Sequence, residues 1–266
     1  MSTVLSCKNF GFALAETTIL TGLSFGLEAG GYLSVIGPNG SGKSTLLKCL
    51  LRLHDTGRRT GAIHVAGRDL ASFGQRELAR LIAYVPQAGG RIPLFTVMEL
   101  LKLSRYPYAS RQRASLAEDD SAVAEALKLT GTEHLAAKPL TTLSGGERQK
   151  AYLAAALAQG TGILLLDEPA SFLDPRYTAE LNALLKRLHR EQGLSIVTVT
   201  HDLNHPLDAG GQVLVLRHGE QLWFGPSEEL ASGGVLEEAF AHTFSYLRHP
   251  VTGKTLVLAD QAQAMI

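Results

Sequence analysis

The chain has 266 residues, 45% of them hydrophobic, so it can bury a full core as one large domain or two small ones. Its 25 basic and 25 acidic residues balance, so the charge gives no indication of a nucleic-acid partner. Cys7 and Cys49 lie far apart and are expected to be free thiols in a reducing compartment. The first residues lack a basic region followed by an apolar run, and no apolar stretch approaches about 18 residues. Neither a secretory signal nor a membrane span is therefore expected.

The first third of the chain is predicted to be rich in strands. Residues 4–36 alternate and turn like short antiparallel strands, and the last of these leads into a glycine-rich loop. Residues 44–53 are apolar enough for a buried helix. A hairpin strand is expected over residues 61–70, where Gly67 turns the chain, and another short strand over residues 81–87.

A mostly helical insert is predicted between about residues 95 and 160. Thr96 and Glu99 have the spacing of a capping box, which favours a helix start. Residues 117–131 carry acidic groups in their first turn and end in Gly131, as helix dipoles and caps prefer.

Strand signals then return as continuous apolar runs over residues 162–169 and 194–201, which are typical of parallel strands covered on both faces. Between them, Asp174 and Pro175 are expected to open a helix that ends at Gly193. Its buried stripe should consist of Leu181, Leu184, Leu185 and Leu188. Residues 212–225 are predicted to form a late hairpin.

The clearest chemical motif is GPNGSGKS, residues 37–44, which fits G-x-x-x-x-G-K-[ST] between a predicted strand and a predicted helix. Glycines allow backbone N–H groups to curl around a phosphate. In this motif Lys43 would reach the β- and γ-phosphates, and Ser44 would bind Mg²⁺. The alternative, a chance glycine-rich turn, does not explain the strand–loop–helix context.

Acidic and polar side chains follow three predicted strands. Asp167 can hold Mg²⁺ through water, and Glu168 can polarise an attacking water. His201 closes another strand and is expected at the same sheet edge, where ligands of open α/β sheets bind. Taken alone, each of these residues, like Gln87 after its strand, has an ordinary alternative as a solvated or helix-capping group.

The stretch LSGGERQ, residues 143–149, predicts a second helix start open to an anion. Ser144 and Glu147 have capping-box spacing, so the serine can simply cap its own helix. A capping box does not account for Gly145 and Gly146, which cost about 1 kcal/mol each in a helix, so something is expected to approach closely there.

These motifs together resemble the nucleotide-binding subunits of ABC transporters. The similarity covers nearly the whole chain: GPNGSGKST, the glutamine of YVPQ, LSGGERQ, LLLDEP, SFLD and VTHDLN occur in the family's order. The resemblance implies an α/β fold: a P-loop NTPase core with a mostly parallel sheet, an antiparallel β subdomain and an inserted α-helical subdomain. It divides a single 1–266 domain into a core (1–87 and 161–225), a helical subdomain (88–160) and a C-terminal tail (226–266).

The same resemblance assigns roles to residues. Glu168 is the general base, with His201 and Lys43 as further catalytic groups. Ser44, Gln87 and Asp167 hold Mg²⁺. The residues expected to bind ATP are Gly37, Pro38, Asn39, Gly40, Ser41, Gly42, Lys43, Ser44, Thr45, Gln87, Ser144, Gly145, Gly146, Glu147, Asp174 and His201. Some of these residues act on the nucleotide held by a second copy, in a head-to-tail dimer: Ser144, Gly145, Gly146, Glu147 and Asp174.

One position departs from the family pattern. The family usually stacks adenine on an aromatic residue some two dozen positions before the phosphate loop, where this chain has Leu14. Either adenine stacking is weak or the nearby Phe12 substitutes.

Softer similarities, in residues 96–108 and 249–258, point to importers of siderophores, haem or vitamin B12. They imply polytopic permease subunits as partners, a periplasmic or surface substrate-binding protein acting indirectly, and a peripheral location on the cytoplasmic face of the membrane. Alternatives are another ABC importer or exporter, and a soluble ABC ATPase of DNA repair or translation. A solitary P-loop kinase or GTPase would need no LSGGERQ.

Overall fold

A computed structural model describes residues 2–54, 56–87, 89–109 and 115–260. Its strands are β1 (Thr3–Leu14), β2 (Thr17–Glu28), β3 (Tyr32–Ile36), β4 (Arg58–Val65), β5 (Arg68–Asp69), β6 (Ile82–Val85), β7 (Ile163–Asp167), β8 (Ser195–Val199), β9 (Gln212–Arg217), β10 (Glu220–Pro226), β11 (Phe244–Arg248) and β12 (Thr255–Ala259). Its α-helices are α1 (Lys43–Leu50), α2 (Gln75–Leu78), α3 (Val97–Ser104), α4 (Ser115–Thr130), α5 (Gly145–Ala158), α6 (Pro175–Gln192), α7 (Asn204–Ala209) and α8 (Val235–Phe240).

The chain divides into two compact units. Unit 1 comprises Met1–Ala71 and Val197–Ile266, and unit 2 comprises Ser72–Ile196. Strand β8 therefore begins in unit 2 and ends in unit 1.

Unit 1 combines antiparallel and parallel strands in the order β5-β4-β1-β2-β10-β9-β3. Strand β1 pairs antiparallel with β2 and with β4, and β9 pairs antiparallel with β10. Strand β3, which leads into the glycine loop, pairs in parallel with β9 and is buried at every residue. The predicted antiparallel strands and the late hairpin are thereby confirmed. A second sheet, the antiparallel hairpin β11–β12, lies in the part of the tail that had no assignment from sequence.

Unit 2 contains the predicted helical segment and two parallel strands, β6 and β7. Helices α3, α4 and α5 share a core that includes Val97, Leu101, Val123 and Ala154. Strand β7 is fully buried, as its continuous apolar run predicted.

Helix α6 follows its sequence signals closely. Asp174 caps it through a hydrogen bond from Tyr177 N at 3.0 Å, and Gly193 ends it in the left-handed conformation with φ of 64°. The predicted leucine stripe is its buried face. The α/β class predicted from the sequence is confirmed. Within the described residues, no helix has the length and apolar character needed to cross a membrane.

Candidate functional site

The glycine loop of unit 1 joins β3 to α1, which confirms the strand–loop–helix context expected for a phosphate-binding loop. Gly37 has φ of 149°, and a Cβ atom there would lie 2.1 Å from the carbonyl oxygen of Leu216. Gly42 has φ of 95°, and its Cβ would lie 2.5 Å from Leu20 Cδ2. At both positions only glycine fits, because a side chain would meet a neighbouring strand.

The start of α1 is suited to an anion. No side chain caps this helix, and the backbone N–H groups at a helix start favour an anion. Lys43 is only 6% exposed, and its Nζ donates hydrogen bonds to Gly37 O at 2.7 Å and Pro38 O at 2.8 Å. The loop thereby places one buried positive charge at its centre. Ser44 and Thr45 follow in the first turn of the helix.

In unit 2, Asp167 is the last residue of β7 and is 4% exposed. The hydroxyl of Tyr84, on the parallel strand β6, lies 3.4 Å from Asp167 Oδ2 and donates to it. Burial, reinforced by the charge of Asp167, raises the pKa of Tyr84 to about 12, so this hydroxyl keeps its proton. Tyr84 was missed by sequence reasoning, because strand pairing alone brings it to the carboxylate.

Glu168 follows directly and has φ of 45°, a left-handed conformation that is uncommon for a non-glycine residue and is concentrated at functional sites. Two donors hold its Oε2 atom: Ser171 Oγ at 2.7 Å and Gln87 Nε2 at 3.3 Å. The structure thus brings together two of the predicted site residues, Glu168 and Gln87. Sequence reasoning missed Ser171, although its position three residues after Glu168 was a usable signal.

The capping box predicted at Ser144 is present. Ser144 Oγ accepts from Glu147 N at 3.3 Å, and Glu147 Oε2 accepts from Ser144 N at 2.9 Å and from Ser144 Oγ at 2.8 Å. These hydrogen bonds lower the pKa of Glu147, which stays ionised at the start of α5.

The group that approaches Gly146 closely belongs to the chain itself. A Cβ atom at Gly146 would lie 2.3 Å from the ring of Tyr177, in the first turn of α6. At Gly145 the nearest atom would be Leu173 Cδ2, at an ordinary 3.8 Å. Packing against Tyr177 therefore explains Gly146, whereas no described atom lies close enough to require glycine at position 145. The close approach expected at this helix start is thus present at Gly146, and the binding of ATP by both glycines stays a prediction.

Two more sequence assignments concern unit 1. His201 lies two residues after β8 and is exposed. Phe12 is 1% exposed, and its ring stacks on His54 with centroids 4.8 Å apart, so it presents no open face to a base. Leu14 at the end of β1 is 39% exposed.

The predicted site residues are distributed over both units. The glycine loop and His201 belong to unit 1, whereas Gln87, Asp167, Glu168, Asp174 and the signature residues belong to unit 2. Among the residues the structure describes, no cluster of three or more His, Cys, Asp or Glu side chains could hold a metal on its own. The predicted Mg²⁺ ligands Ser44, Gln87 and Asp167 are instead a hydroxyl, an amide and a carboxylate, a set of oxygen donors that suits this ion.

Similarity to known proteins extends over nearly the whole chain. A family model described as ABC transporter matches residues 20–171. The iron(3+)-hydroxamate import ATP-binding protein of Bacillus subtilis is 34% identical, over 96% of this chain and 94% of that protein. A hemin import ATP-binding protein of Streptomyces coelicolor is 38% identical, over 94% of this chain and 87% of that protein.

Solved structures of ABC proteins are also similar to this chain. An inward-facing ABC transporter of metal-chelate type superimposes with a TM-score of 0.83 at 27% identity, covering 98% of each chain. A dimeric ATP-binding cassette with bound ADP and Pi, in a post-hydrolysis state, superimposes with a TM-score of 0.72 at 29% identity, covering 84% of this chain and 98% of that one. The predicted fold class is confirmed by these neighbours.

Proposed function

Because this chain belongs to the ABC transporter family and is an ATP-hydrolysing cassette of that family, we propose that it powers the import of an iron chelate or corrinoid. The observation that carries the proposal is the similarity to a hydroxamate importer's ATPase over 96% of the chain. The hemin import relative supports the same substrate class. The substrate does not touch this subunit, so its residues cannot select between siderophore, haem and corrinoid.

The phosphate loop holds the triphosphate of ATP in this proposal. Residues 37–45 cradle it: the backbone N–H groups of the residues other than Pro38, and the buried ammonium of Lys43, neutralise its charge. Ser44, Gln87 and Asp167 would hold Mg²⁺, which would neutralise further charge on the triphosphate. His201 contacts the γ-phosphate.

Hydrolysis requires a base close to the γ-phosphate, and Glu168 takes this role. Its carboxylate orients a water molecule and accepts a proton from it as the water attacks the γ-phosphorus. The bond from that phosphorus to the β-phosphate oxygen breaks, and the products are ADP and phosphate. Gln87 and Ser171 donate to the same oxygen, Oε2, and so orient the carboxylate for this role. Gln87 directly precedes the proposed helical subdomain in sequence, and it is also the residue proposed to sense the membrane subunit.

Two copies of the chain act together. The exposed capping serine Ser144, together with Gly145 and Gly146, binds the γ-phosphate of the ATP held by the other copy, and Asp174 acts across the same interface. The dimeric cassette among the structural neighbours supports this arrangement. ATP binding closes the pair, and hydrolysis reopens it, because the products carry charges that repel each other where the γ-phosphate had bridged the two copies.

The remaining partners are proposed from the family. Polytopic permease subunits dock on this cassette at the cytoplasmic face of the membrane, where it is peripheral, and a periplasmic or surface binding protein delivers the chelate. We also propose that the chain divides into a core (residues 1–87 and 161–225), a helical subdomain (88–160) and a tail (226–266).

The test is reconstitution. The chain is affinity-purified from detergent-solubilised native membranes, and the polytopic protein that accompanies it is placed with it in liposomes. We expect ATP hydrolysis to rise with the permease and ferric hydroxamate, hemin or cobalamin to accumulate, whereas Glu168→Gln should abolish both. A partner that drives efflux would contradict import, and stimulation by DNA or ribosomes alone would contradict transport altogether.

A further inference from the structure

The helix that follows His201 is too short to be stable without contacts to the rest of the chain. Helix α7 has six residues and no side-chain N-cap, and helices of this length are unstable in isolation. Local turns order the segment before it: Asp202 N donates to Thr200 Oγ1 at 3.1 Å, and Asn204 N donates to Asp202 Oδ1 at 2.8 Å. The placement of His201 therefore depends on what holds α7.

One anchor lies under the helix, inside unit 1. His205 of α7 is 7% exposed, and its Nε2 lies 3.0 Å from the hydroxyl of Tyr32, which also lies 3.0 Å from Thr198 Oγ1. Tyr32 begins β3, which leads to the phosphate loop, and Thr198 lies in β8, which leads to His201. Burial raises the pKa of Tyr32 to about 12, so the Tyr32 hydroxyl keeps its proton at neutral pH.

The other anchor is the C-terminal hairpin β11–β12. Asn204 makes a reciprocal pair with the backbone of Val257: its Nδ2 donates to Val257 O at 3.1 Å, and its Oδ1 accepts from Val257 N at 2.8 Å. Lys254 Nζ forms an ion pair with Asp208 Oδ1 at 2.5 Å. Val257 is 4% exposed, in an apolar cluster that includes Leu203 and Leu207.

The side-chain amide of Asn204 pairs with the backbone of Val257 in the way that the backbone of a neighbouring strand would. It fixes the first residue of α7, three positions after His201, while Lys254 fixes its penultimate residue, Asp208. Both ends of the short helix are thus tied to one hairpin.

We propose that the hairpin β11–β12 is a clamp on α7, and that Asn204 is a positioning residue that holds His201 in register for hydrolysis. This inference rests on the proposed role of His201 at the γ-phosphate. Asn204 itself touches no substrate; it acts through α7. Loss of the clamp should therefore lower turnover without lowering the affinity for ATP.

The first experiment measures order rather than activity. Hydrogen–deuterium exchange is followed in the full-length chain, comparing wild type, Asn204→Ala and Lys254→Glu. The Lys254 variant reverses an exposed charge and is expected to fold. In both variants amides 201–209 should exchange at least about tenfold faster, while those of β3 and α1 are unchanged. Tyr246→Phe is the matched control, because it removes a hairpin hydrogen bond to Glu237 of α8 and leaves α7 alone. Unchanged exchange at 201–209 in both variants would overturn the clamp.

The second experiment measures steady-state ATP hydrolysis. In Asn204→Ala, kcat should fall about 5- to 30-fold, with KM within about twofold of wild type, since the two lost hydrogen bonds hold His201 and not the nucleotide. Lys254→Glu should lose less, and the deficit relative to wild type should shrink at about 1 M salt. Equal kcat in wild type and Asn204→Ala would overturn the positioning role.

A double variant separates this role from general destabilisation. If Asn204 acts through His201, then His201→Ala with Asn204→Ala should hydrolyse ATP within about twofold of His201→Ala alone. Losses that multiply would contradict the inference. Full activity in His201→Ala would instead contradict the proposed role of His201, so failure of the clamp and failure of the proposed function give different results.

Discussion

At the scale of single residues, the arrangement around Glu168 shows how a strained backbone and two donors orient one carboxylate. Residue 168 adopts the left-handed conformation directly after the end of β7. Ser171 Oγ and Gln87 Nε2 then fix Oε2. Ser171 lies within hydrogen-bonding distance only because the chain turns sharply between residues 168 and 171, where Ser171 N also donates to Glu168 O at 3.1 Å.

Removal of the Ser171 hydroxyl should therefore slow the chemical step. In Ser171→Ala we expect kcat for ATP to fall about 5- to 30-fold, because a hydrogen bond to a charged group is lost, while KM stays within about twofold. Steady-state kinetics measure both constants. Thr3→Ala is a matched control, since the hydroxyl of Thr3 also donates to a carboxylate, that of Glu28 at 2.8 Å. An unchanged kcat would mean that Ser171 does not orient the base.

At the scale of elements, unit 2 contains two helices with the same start. Thr96 caps α3 and Ser144 caps α5, each with a glutamate at the third helical position that accepts from the cap backbone. The same hydrogen bonds lower the pKa of Glu99 and of Glu147. Their geometry is equivalent, yet only Ser144 is proposed to contact ATP, so the two caps form a natural comparison.

Alanine at either cap should cost about 1 kcal/mol of stability, because one backbone N–H at the helix start loses its acceptor. Thermal unfolding should show similar losses for Thr96→Ala and Ser144→Ala. Hydrolysis should fall about tenfold or more only in Ser144→Ala, because that hydroxyl is the one proposed to meet a phosphate of the other copy. Equal activities in the two variants would assign Ser144 a purely structural role.

The caps also predict a dependence on pH. A carboxylate with a lowered folded-state pKa stabilises the fold above its unfolded pKa and loses that contribution as pH falls through the folded value. The stability difference between wild type and Thr96→Ala should therefore shrink as pH falls below the usual glutamate pKa and through the lowered pKa of folded Glu99. Urea unfolding at pH 7 and at about pH 3 measures it. A difference that stays constant would show that Glu99 contributes nothing to the cap.

At the scale of the whole molecule, the central expectation is pairing that depends on ATP. A single chain has a mass of 28.5 kDa, and Ser144 and Gly145 are exposed at the start of α5. In Glu168→Gln, ATP binds but is not hydrolysed, so the closed pair should accumulate. Light scattering should report a doubled mass with Mg²⁺ and ATP and a single mass with ADP.

The variant Ser144→Arg is the matching negative control, because it should not dimerise. An arginine at the exposed cap should block closure sterically while leaving the chain's own phosphate loop intact. In the Glu168→Gln background it should remain a monomer with ATP, although titration calorimetry still detects nucleotide binding. A dimer that forms despite this substitution would place the interface elsewhere.

The sequence by itself determined the phosphate loop, the helix caps and the leucine stripe, all of which depend on local spacing. The phosphate loop could be predicted because glycines, a lysine and a hydroxyl at this spacing, between a strand and a helix, are typical of phosphate binding. The caps at Thr96, Ser144 and Asp174 and the leucine stripe of α6 are equally local, because they follow from helix geometry. The order of the motifs along the chain was enough to place it in its family.

Only the tertiary structure decided which distant residues meet. Tyr84 reaches Asp167 across 83 positions of sequence, and Asn204 reaches Val257 across 53. Gly146 is glycine because Tyr177 packs on it, and Phe12 is covered because it stacks on His54. No local pattern encodes these contacts, because each one depends on strand register and helix packing that bring together segments with no relation in sequence. The C-terminal hairpin is the clearest case: its residues have weak strand signals, and its contacts with α7 follow only from the folded chain.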